Sequence, residues 1–158
     1  LTSCLAVEGW VDEVASGRPY ADKAHALAWA GRSAEHLSDD ELATALTRHP
    51  RIGEASQADD VEAAHSRREQ SSVSTDGEAI SALREGNVAY EHKFGRVFLI
   101  RAVGRSAEDV LSELRRRISN DDDTERAETV AQLREIALLR LSTALDPTPD
   151  AALEGGRA

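Results

Sequence analysis

A histidine stands directly before a proline in the stretch TRHPRIGEAS, at His49 and Pro50. The residue before a proline is sterically kept out of the helical region, so a helix that begins near Ser38 is expected to end at His49. An imidazole held at such a rigid position can transfer protons near neutral pH, which makes His49 a candidate general acid or base. The alternative is structural, because a histidine there can also hydrogen-bond the last carbonyls of the helix.

A second group of polar side chains lies in the stretch HSRREQSS and just before it. Glu62, His65, Ser66 and Glu69 recur at helical spacing and therefore share one helix face, with Gln70 beside them. Carboxylate, hydroxyl and amide groups on one face can hold the N–H and C=O groups of a small ligand. A helix face exposed to solvent explains the same pattern, and the spacing alone leaves both interpretations open.

An arginine lies at the border of the apolar stripe of the last predicted helix. Arg140 follows Leu133 and Ile136 at helical spacing. An inward-pointing arginine is costly unless it meets an anion, so Arg140 is a candidate anion-binding group. The alternative is that the side chain extends along the helix and places its guanidinium in solvent.

The elements that must position these side chains are helices. Helix-start signals at Ser38, Thr75, Ser106 and Asp122 are each followed by apolar residues at helical spacing. Further helices are expected over residues 5–15, 21–29 and 58–71. The apolar residues 97–100 follow Gly95, a natural helix terminator, and predict a short extended segment through the core.

The sequence therefore predicts an all-α fold, a compact single-domain bundle of about seven to eight helices with one short extended segment. Residues 1–145 are expected to form the domain. Residues 146–158 contain two prolines and little apolar surface, which predicts a disordered tail. The basic run 115–117 and the acidic run 121–123 are interpreted as a solvated helix end and the cap of the next helix.

Composition excludes several classes of function. The net charge of -10 argues against a nucleic-acid or anionic-membrane partner, since both need a basic surface. Cys4 is the only cysteine, so an intrachain disulfide is excluded. No apolar run approaches the roughly 20 residues of a membrane span, and we expect a soluble cytoplasmic protein. Because the chain contains no methionine, a few residues are expected to precede Leu1.

Motifs for cofactors are also missing from the sequence. The five histidines do not show metal-ligand spacing, and neither a G-x-S-x-G elbow nor a phosphate-binding glycine loop occurs. From the residues alone, the prediction is a small acidic helical domain in which a histidine, a carboxylate with neighbouring amides and hydroxyls, and an arginine converge.

Taken together and in order, several stretches resemble one enzyme family. They are His49-Pro50-Arg51-Ile52-Gly53, Ser66-Arg67-Arg68-Glu69-Gln70, Asn87-Val88-Ala89-Tyr90, Lys93-Phe94-Gly95, Phe98-Leu99-Ile100 and Leu139-Arg140-Leu141. This series is similar to that of OHCU decarboxylase, which acts on 2-oxo-4-hydroxy-4-carboxy-5-ureidoimidazoline (OHCU) in urate breakdown. Cys4 and Trp10 also lie where that family tends to place such residues. The likeness extends over roughly residues 2–145.

The resemblance implies a cofactor-free decarboxylase of purine metabolism that forms (S)-allantoin and CO2, as a homodimer in the bacterial cytoplasm. It assigns catalysis to His49, Glu69 and Arg140, and its partner is a small anionic ureidoimidazoline substrate. The substrate-binding residues that it implies are Pro50, Ser66, Arg67, Arg68, Gln70, Phe98, Leu99, Ile100, Arg101 and Ala102. For residues 98–102 the implied contacts are made by backbone groups.

Two motifs depart from the common family pattern. Many members have His-Pro-Asp-Leu where this chain has His49-Pro50-Arg51-Ile52, and many have Phe-Gly-Phe-Pro-Phe where it has Phe94-Gly95-Arg96-Val97-Phe98. The missing proline leaves the path after Gly95 open. Two other functions stay open as well: a catalytically silent helical binding or interaction module, and a metal-dependent amidohydrolase, for which no ligand cluster is visible.

Overall fold

The computed structural model describes residues 1–52 and 77–146. These ranges contain no strand, so the predicted all-α class is confirmed, with fewer helices than predicted for the whole chain. The α-helices are α1 (Glu8–Ser16), α2 (Lys23–Ser33), α3 (Asp39–Leu46), α4 (Gly77–Phe94), α5 (Ala107–Ile118) and α6 (Asp122–Leu145), and Ala34–His36 is a 3-10 helix. The helix predicted over residues 58–71, the start signal at Thr75 and residues 147–158 of the predicted tail lie outside the described residues.

The helix starts follow the predicted capping signals closely. Ser38 and Ser106 each accept a hydrogen bond from the main-chain N–H three residues further on, and each completes a capping box. α6 begins at Asp122, but its cap is Asp121, one residue before the predicted position, whose carboxylate accepts from the N–H of Thr124 at 2.8 Å. Both α1 and α2 begin and end later than predicted.

The segment after α4 runs between two hydrophobic clusters. Gly95 ends α4 with a φ of 66°, a left-handed conformation that favours glycine. Leu99 packs in the cluster formed with α1, α2, α3 and α6, whereas Phe98 and Ile100 pack in the cluster formed with α4 and α5. This alternation is what an extended chain produces, since successive side chains point to opposite sides. The predicted extended segment through the core is confirmed.

Helices α4 and α5 approach each other closely at Gly86. A Cβ atom added at Gly86 would lie 2.5 Å from Cδ2 of Leu114, a distance that real side chains do not show. Glycine is therefore required at this crossing, and its place beside fully buried Leu114 sets how near α4 comes to the second cluster.

The prediction of a solvated helix end at residues 115–117 is wrong for Arg117. Arg115 and Arg116 are exposed, but the Arg117 side chain is 1% exposed and pairs with Glu125, which is fully buried. The reason is helical periodicity, because Arg117 shares a face with Val110 and Leu114. In the sequence, the two neighbouring arginines make Arg117 look like part of an exposed basic run, although it lies on the buried face of the helix.

Candidate functional site: a buried histidine beside a buried arginine

His49 lies in a turn that follows α3. The helix ends at Leu46, three residues before the predicted end, and the main-chain N–H groups of Thr47, Arg48 and His49 bond carbonyls of its last turn. Because main-chain donors already occupy these carbonyls, the capping alternative for the imidazole is not needed. The His49 side chain is 8% exposed, so it points into the protein.

Helix α4 holds the turn that carries His49. Nδ2 of Asn87 donates to the carbonyl of Ile52 at 3.1 Å, and both groups are buried. One helical turn further on, Glu91 accepts two hydrogen bonds from the guanidinium of Arg51, at 2.5 and 2.7 Å. The two contacts fix the chain on the C-terminal side of Pro50, which itself is half-buried. Asn87 belongs to a sequence motif noted above, but its positioning role was not predicted.

Arg140 lies on the inward face of α6. Its side chain is 2% exposed, and the neighbouring residues Ile136, Ala137 and Leu141 are buried hydrophobics of the first cluster. The alternative in which Arg140 extends into solvent is therefore wrong. A guanidinium at this depth is always charged and provides several N–H donors, so it forms a strong site for an anion.

The fold brings His49 and Arg140 close enough for their charges to interact. Burial and, to a smaller extent, the positive charge of Arg140 together lower the pKa of His49 from 6.5 to about 4. At neutral pH the imidazole is therefore uncharged, and His49 is ready to accept a proton. Of the acid and base roles considered from the sequence, the structure favours the base in the unliganded protein.

The lowered pKa of His49 predicts a pH-dependent stability. Between pH 6.5 and about 4 the unfolded chain binds a proton at His49 that the folded chain does not, so the free energy of unfolding falls as the pH falls through this window. The full effect is about 3 kcal/mol. We expect urea titrations from pH 4 to 7.5 to show a steeper loss for the wild type than for His49→Gln. Carboxylates titrate in both proteins, so equal slopes would contradict the prediction.

The extended segment carries backbone groups at Ile100 for which the described residues provide no hydrogen-bond partner. On one side, the Leu99 carbonyl accepts from Arg117 Nη1 at 2.8 Å and the Arg101 N–H donates to Gln132 Oε1 at 2.9 Å. Neither the N–H nor the C=O of Ile100 makes a hydrogen bond with any residue that the structure describes. Because main-chain groups of alternate residues point the same way in an extended chain, Ile100 offers its groups on the side opposite Leu99 and Arg101.

The side chains of this segment serve packing more than chemistry. Phe98, Leu99, Ile100 and Ala102 are buried, whereas the guanidinium of Arg101 is partly exposed and pairs with Glu135 at 3.0 Å. The remaining residues predicted to contact substrate lie outside the described residues: Ser66, Arg67, Arg68, Glu69 and Gln70.

A hollow of about 440 Å³ lies at the first turns of α1 and α3, and neither His49 nor Arg140 lines it. Glu8, Asp40 and Glu41 line it, so its charge disfavours an anionic ligand. In residues 1–52 and 77–146, no three His, Cys, Asp or Glu side chains are grouped as a metal site requires. No helix in these ranges is both long and apolar enough to cross a membrane.

Comparison with known proteins identifies the family. A model of the family described as OHCU decarboxylase matches residues 1–142. The chain belongs to the OHCU decarboxylase family. It is therefore a decarboxylase of urate breakdown, as the motif series indicated, and not a silent helical module. A search of curated proteins finds no match for this sequence.

Solved structures show the same fold. A crystal structure of OHCU decarboxylase in the presence of (S)-allantoin superposes with a TM-score of 0.78 at 24% identity, over 90% of this chain and 94% of that one. A crystal structure of (S)-allantoin synthase gives 0.64 at 19% identity, over 88% of this chain and 44% of that longer chain. Both structures thus share this helical fold at low sequence identity.

Proposed function

We propose that this chain converts OHCU to (S)-allantoin and CO2 at a site formed by His49, Arg140 and the backbone edge at Ile100. Family membership supports the reaction. The observation that supports the location is that His49 and Arg140, from distant parts of the sequence, are both buried and interact electrostatically. A neutral base and a cation within electrostatic reach of each other suit an anion that must lose a proton as it reacts.

Arg140 binds the anionic substrate. Its planar guanidinium forms forked hydrogen bonds to a carboxylate or to a ring or ureido oxygen, and such bonds are stronger when they are shielded from water. The same anion counteracts the effect of Arg140 on His49, so the pKa of the imidazole rises when substrate is bound.

His49 transfers the proton. As the bond to CO2 breaks, its electron pair forms a double bond to the adjacent ring carbon, and the electrons of the neighbouring C=N bond move onto nitrogen. His49 accepts the proton of the substrate hydroxyl, which becomes the ring carbonyl, and the imidazolium then protonates the ureido-bearing carbon on one face. The ring nitrogen that received the C=N electrons takes a proton from water, so the substrate carboxylate loses CO2 and gains one proton overall. The substrate supplies its own electron sink, so the reaction as proposed needs no cofactor.

The backbone edge and the 66–70 motif complete the proposal. The N–H of Ile100 is a fixed donor for developing negative charge, since no residue that the structure describes accepts a hydrogen bond from it. From the family motif, Glu69 is assigned a catalytic role in holding the substrate. The same motif assigns Ser66, Arg67, Arg68 and Gln70 to contacts with the ureido and ring groups.

We further infer a homodimer in the bacterial cytoplasm, with residues 1–145 as the enzymatic domain. The family match over residues 1–142 supports this domain boundary. Sedimentation velocity is expected to show a dimer for the full chain and for a chain ending at residue 145, and an activity assay is expected to give the same turnover for both. A monomeric, fully active enzyme would contradict the dimer.

The decisive experiment generates OHCU in situ from urate and follows the circular dichroism of the allantoin formed. Uncatalysed decay gives racemic product, whereas this protein is expected to accelerate loss of OHCU and to give the (S) enantiomer. Activity that persists in a chelator would separate the decarboxylase from a metal-dependent amidohydrolase. Racemic product at an unchanged rate would reject the proposed function.

A further inference from the structure

A buried polar network lies directly behind the extended segment. Nε of Arg117 donates to Oε1 of Glu125 at 2.9 Å, and its Nη1 donates to the carbonyl of Leu99 at 2.8 Å. Nη2 donates to the same carboxylate oxygen and, at 3.2 Å, to the hydroxyl of Thr129. Arg117, Glu125 and Thr129 are all buried, so the network is shielded from solvent.

Helix α4 and the α5–α6 connection hold the carboxylate of this network. The hydroxyl of Tyr90 donates to Oε1 of Glu125, and Nδ2 of Asn120 donates to Oε2 at 2.8 Å. Tyr90 is the last residue of the Asn87–Tyr90 motif, to which the sequence assigned no role. Every oxygen of Glu125 thus has a donor, and the orientation of Arg117 is fixed by groups from three elements.

The same network also contacts the extended segment through the ring of Phe98. The guanidinium of Arg117 lies 4.8 Å from the centre of the Phe98 ring, and the Tyr90 ring meets Phe98 edge-on at 5.2 Å. Leu99 is thus held through its carbonyl and Phe98 through its ring. The next residue, Ile100, carries the backbone N–H and C=O groups that form no hydrogen bond with the described residues and are proposed to bind substrate.

Stability alone does not explain such a network. A buried ion pair loses much of its attraction to the cost of desolvation, and apolar residues of similar volume are often as stable or more so. The network instead sets the orientation of the backbone. An extended chain outside a sheet has no neighbouring strand whose hydrogen bonds would fix the direction of its carbonyls. Fixing the Leu99 carbonyl on one side fixes the direction of the Ile100 groups on the other.

We propose that Arg117, held by Glu125 and Tyr90, is a positioning residue for the decarboxylation, acting through the carbonyl of Leu99 on the substrate-binding edge at Ile100. This inference rests on the proposed function. Arg117 is not catalytic, because it lies behind the segment and touches the backbone instead of the reacting atoms. Its role requires the two-directional fork of a guanidinium, which bonds the carboxylate and the carbonyl together.

The test compares Arg117→Met and Arg117→Lys with Arg115→Met, an exposed arginine on the same helix. We expect Arg117→Met to fold and to lower kcat/KM by about 10²-fold, with a clear rise in KM, because misplacing a binding edge weakens both substrate and transition-state contacts. Arg117→Lys is expected to recover part of this loss. A purely structural role would reduce the amount of active protein and leave KM unchanged.

The positioning role and the proposed function would be contradicted by different results. Wild-type protein that forms no (S)-allantoin defeats the function itself. Active wild type, together with Arg117→Met matching Arg115→Met in kcat and KM, overturns only the positioning role. If Arg117→Met does not fold, the test uses Tyr90→Phe and Glu125→Gln instead. A raised KM in both variants supports the positioning role, and a wild-type KM in both overturns it.

Discussion

His49→Gln lowers kcat/KM for OHCU by about 10²–10⁴-fold, the usual contribution of a positioned acid or base. Glutamine preserves much of the side-chain volume and can still hydrogen-bond, but it cannot carry the hydroxyl proton to carbon. Because the imidazole is buried and uncharged in the free protein, this loss concerns proton transfer more than substrate binding. The measurement is the initial rate of OHCU consumption together with the enantiomeric purity of the allantoin.

The matched control for this variant is His92→Gln, which replaces an exposed histidine on α4. We expect wild-type rate and product chirality from it. The pH profile of kcat/KM gives a second check: its acid limb is expected near the His49 pKa of about 4, well below that of an ordinary histidine. His49→Gln with wild-type turnover would remove the imidazole from the mechanism.

Arg140→Met raises KM for OHCU and lowers kcat/KM by about 10²–10³-fold, since losing a buried partner of a charge costs several kcal/mol. Methionine fills similar space and carries no charge itself, so the folded state is expected to persist. Removal of the positive charge also raises the pKa of His49, because Arg140 disfavours the imidazolium. NMR titration of the His49 ring protons measures this rise independently of turnover.

Arg115→Met again provides the surface control, with unchanged KM and an unchanged His49 titration. Arg140→Lys keeps the charge but loses the fork, so we expect an intermediate KM and a His49 pKa close to that of the wild type. Wild-type KM in Arg140→Met, or a His49 pKa that does not move, would show that Arg140 does not serve the site.

Local signals in the chain predicted the helical elements well. Capping boxes at Ser38 and Ser106 mark helix starts that depend on a few adjacent residues, and Gly95 marks a stop for the same reason. The apolar run after Gly95 was correctly expected to be extended. The predicted end of α3 was less accurate. The proline restricts only the residue before it, whereas the helix ends earlier, at Leu46.

The sequence could not decide the surroundings of site residues whose neighbours are distant along the chain. His49 and Arg140 were candidates from their local patterns, but spacing favoured a cap for one and solvent for the other. Only their burial together rejects these alternatives. Arg117 was misjudged because its charge run indicates solvent, whereas its partners Glu125 and Thr129 lie on another helix, α6.

By itself, the sequence determined the helical class, the main helix starts, the extended segment and, through its ordered motifs, the family. These features depend on neighbouring residues or on patterns that survive in one dimension. Only the tertiary structure decided that His49 is buried with a lowered pKa, that Arg140 and Arg117 are buried, and that the backbone groups of Ile100 form no hydrogen bond with the residues that the structure describes. Burial and the electrostatic effects that follow from it depend on which distant helices pack together, and no local pattern contains that information.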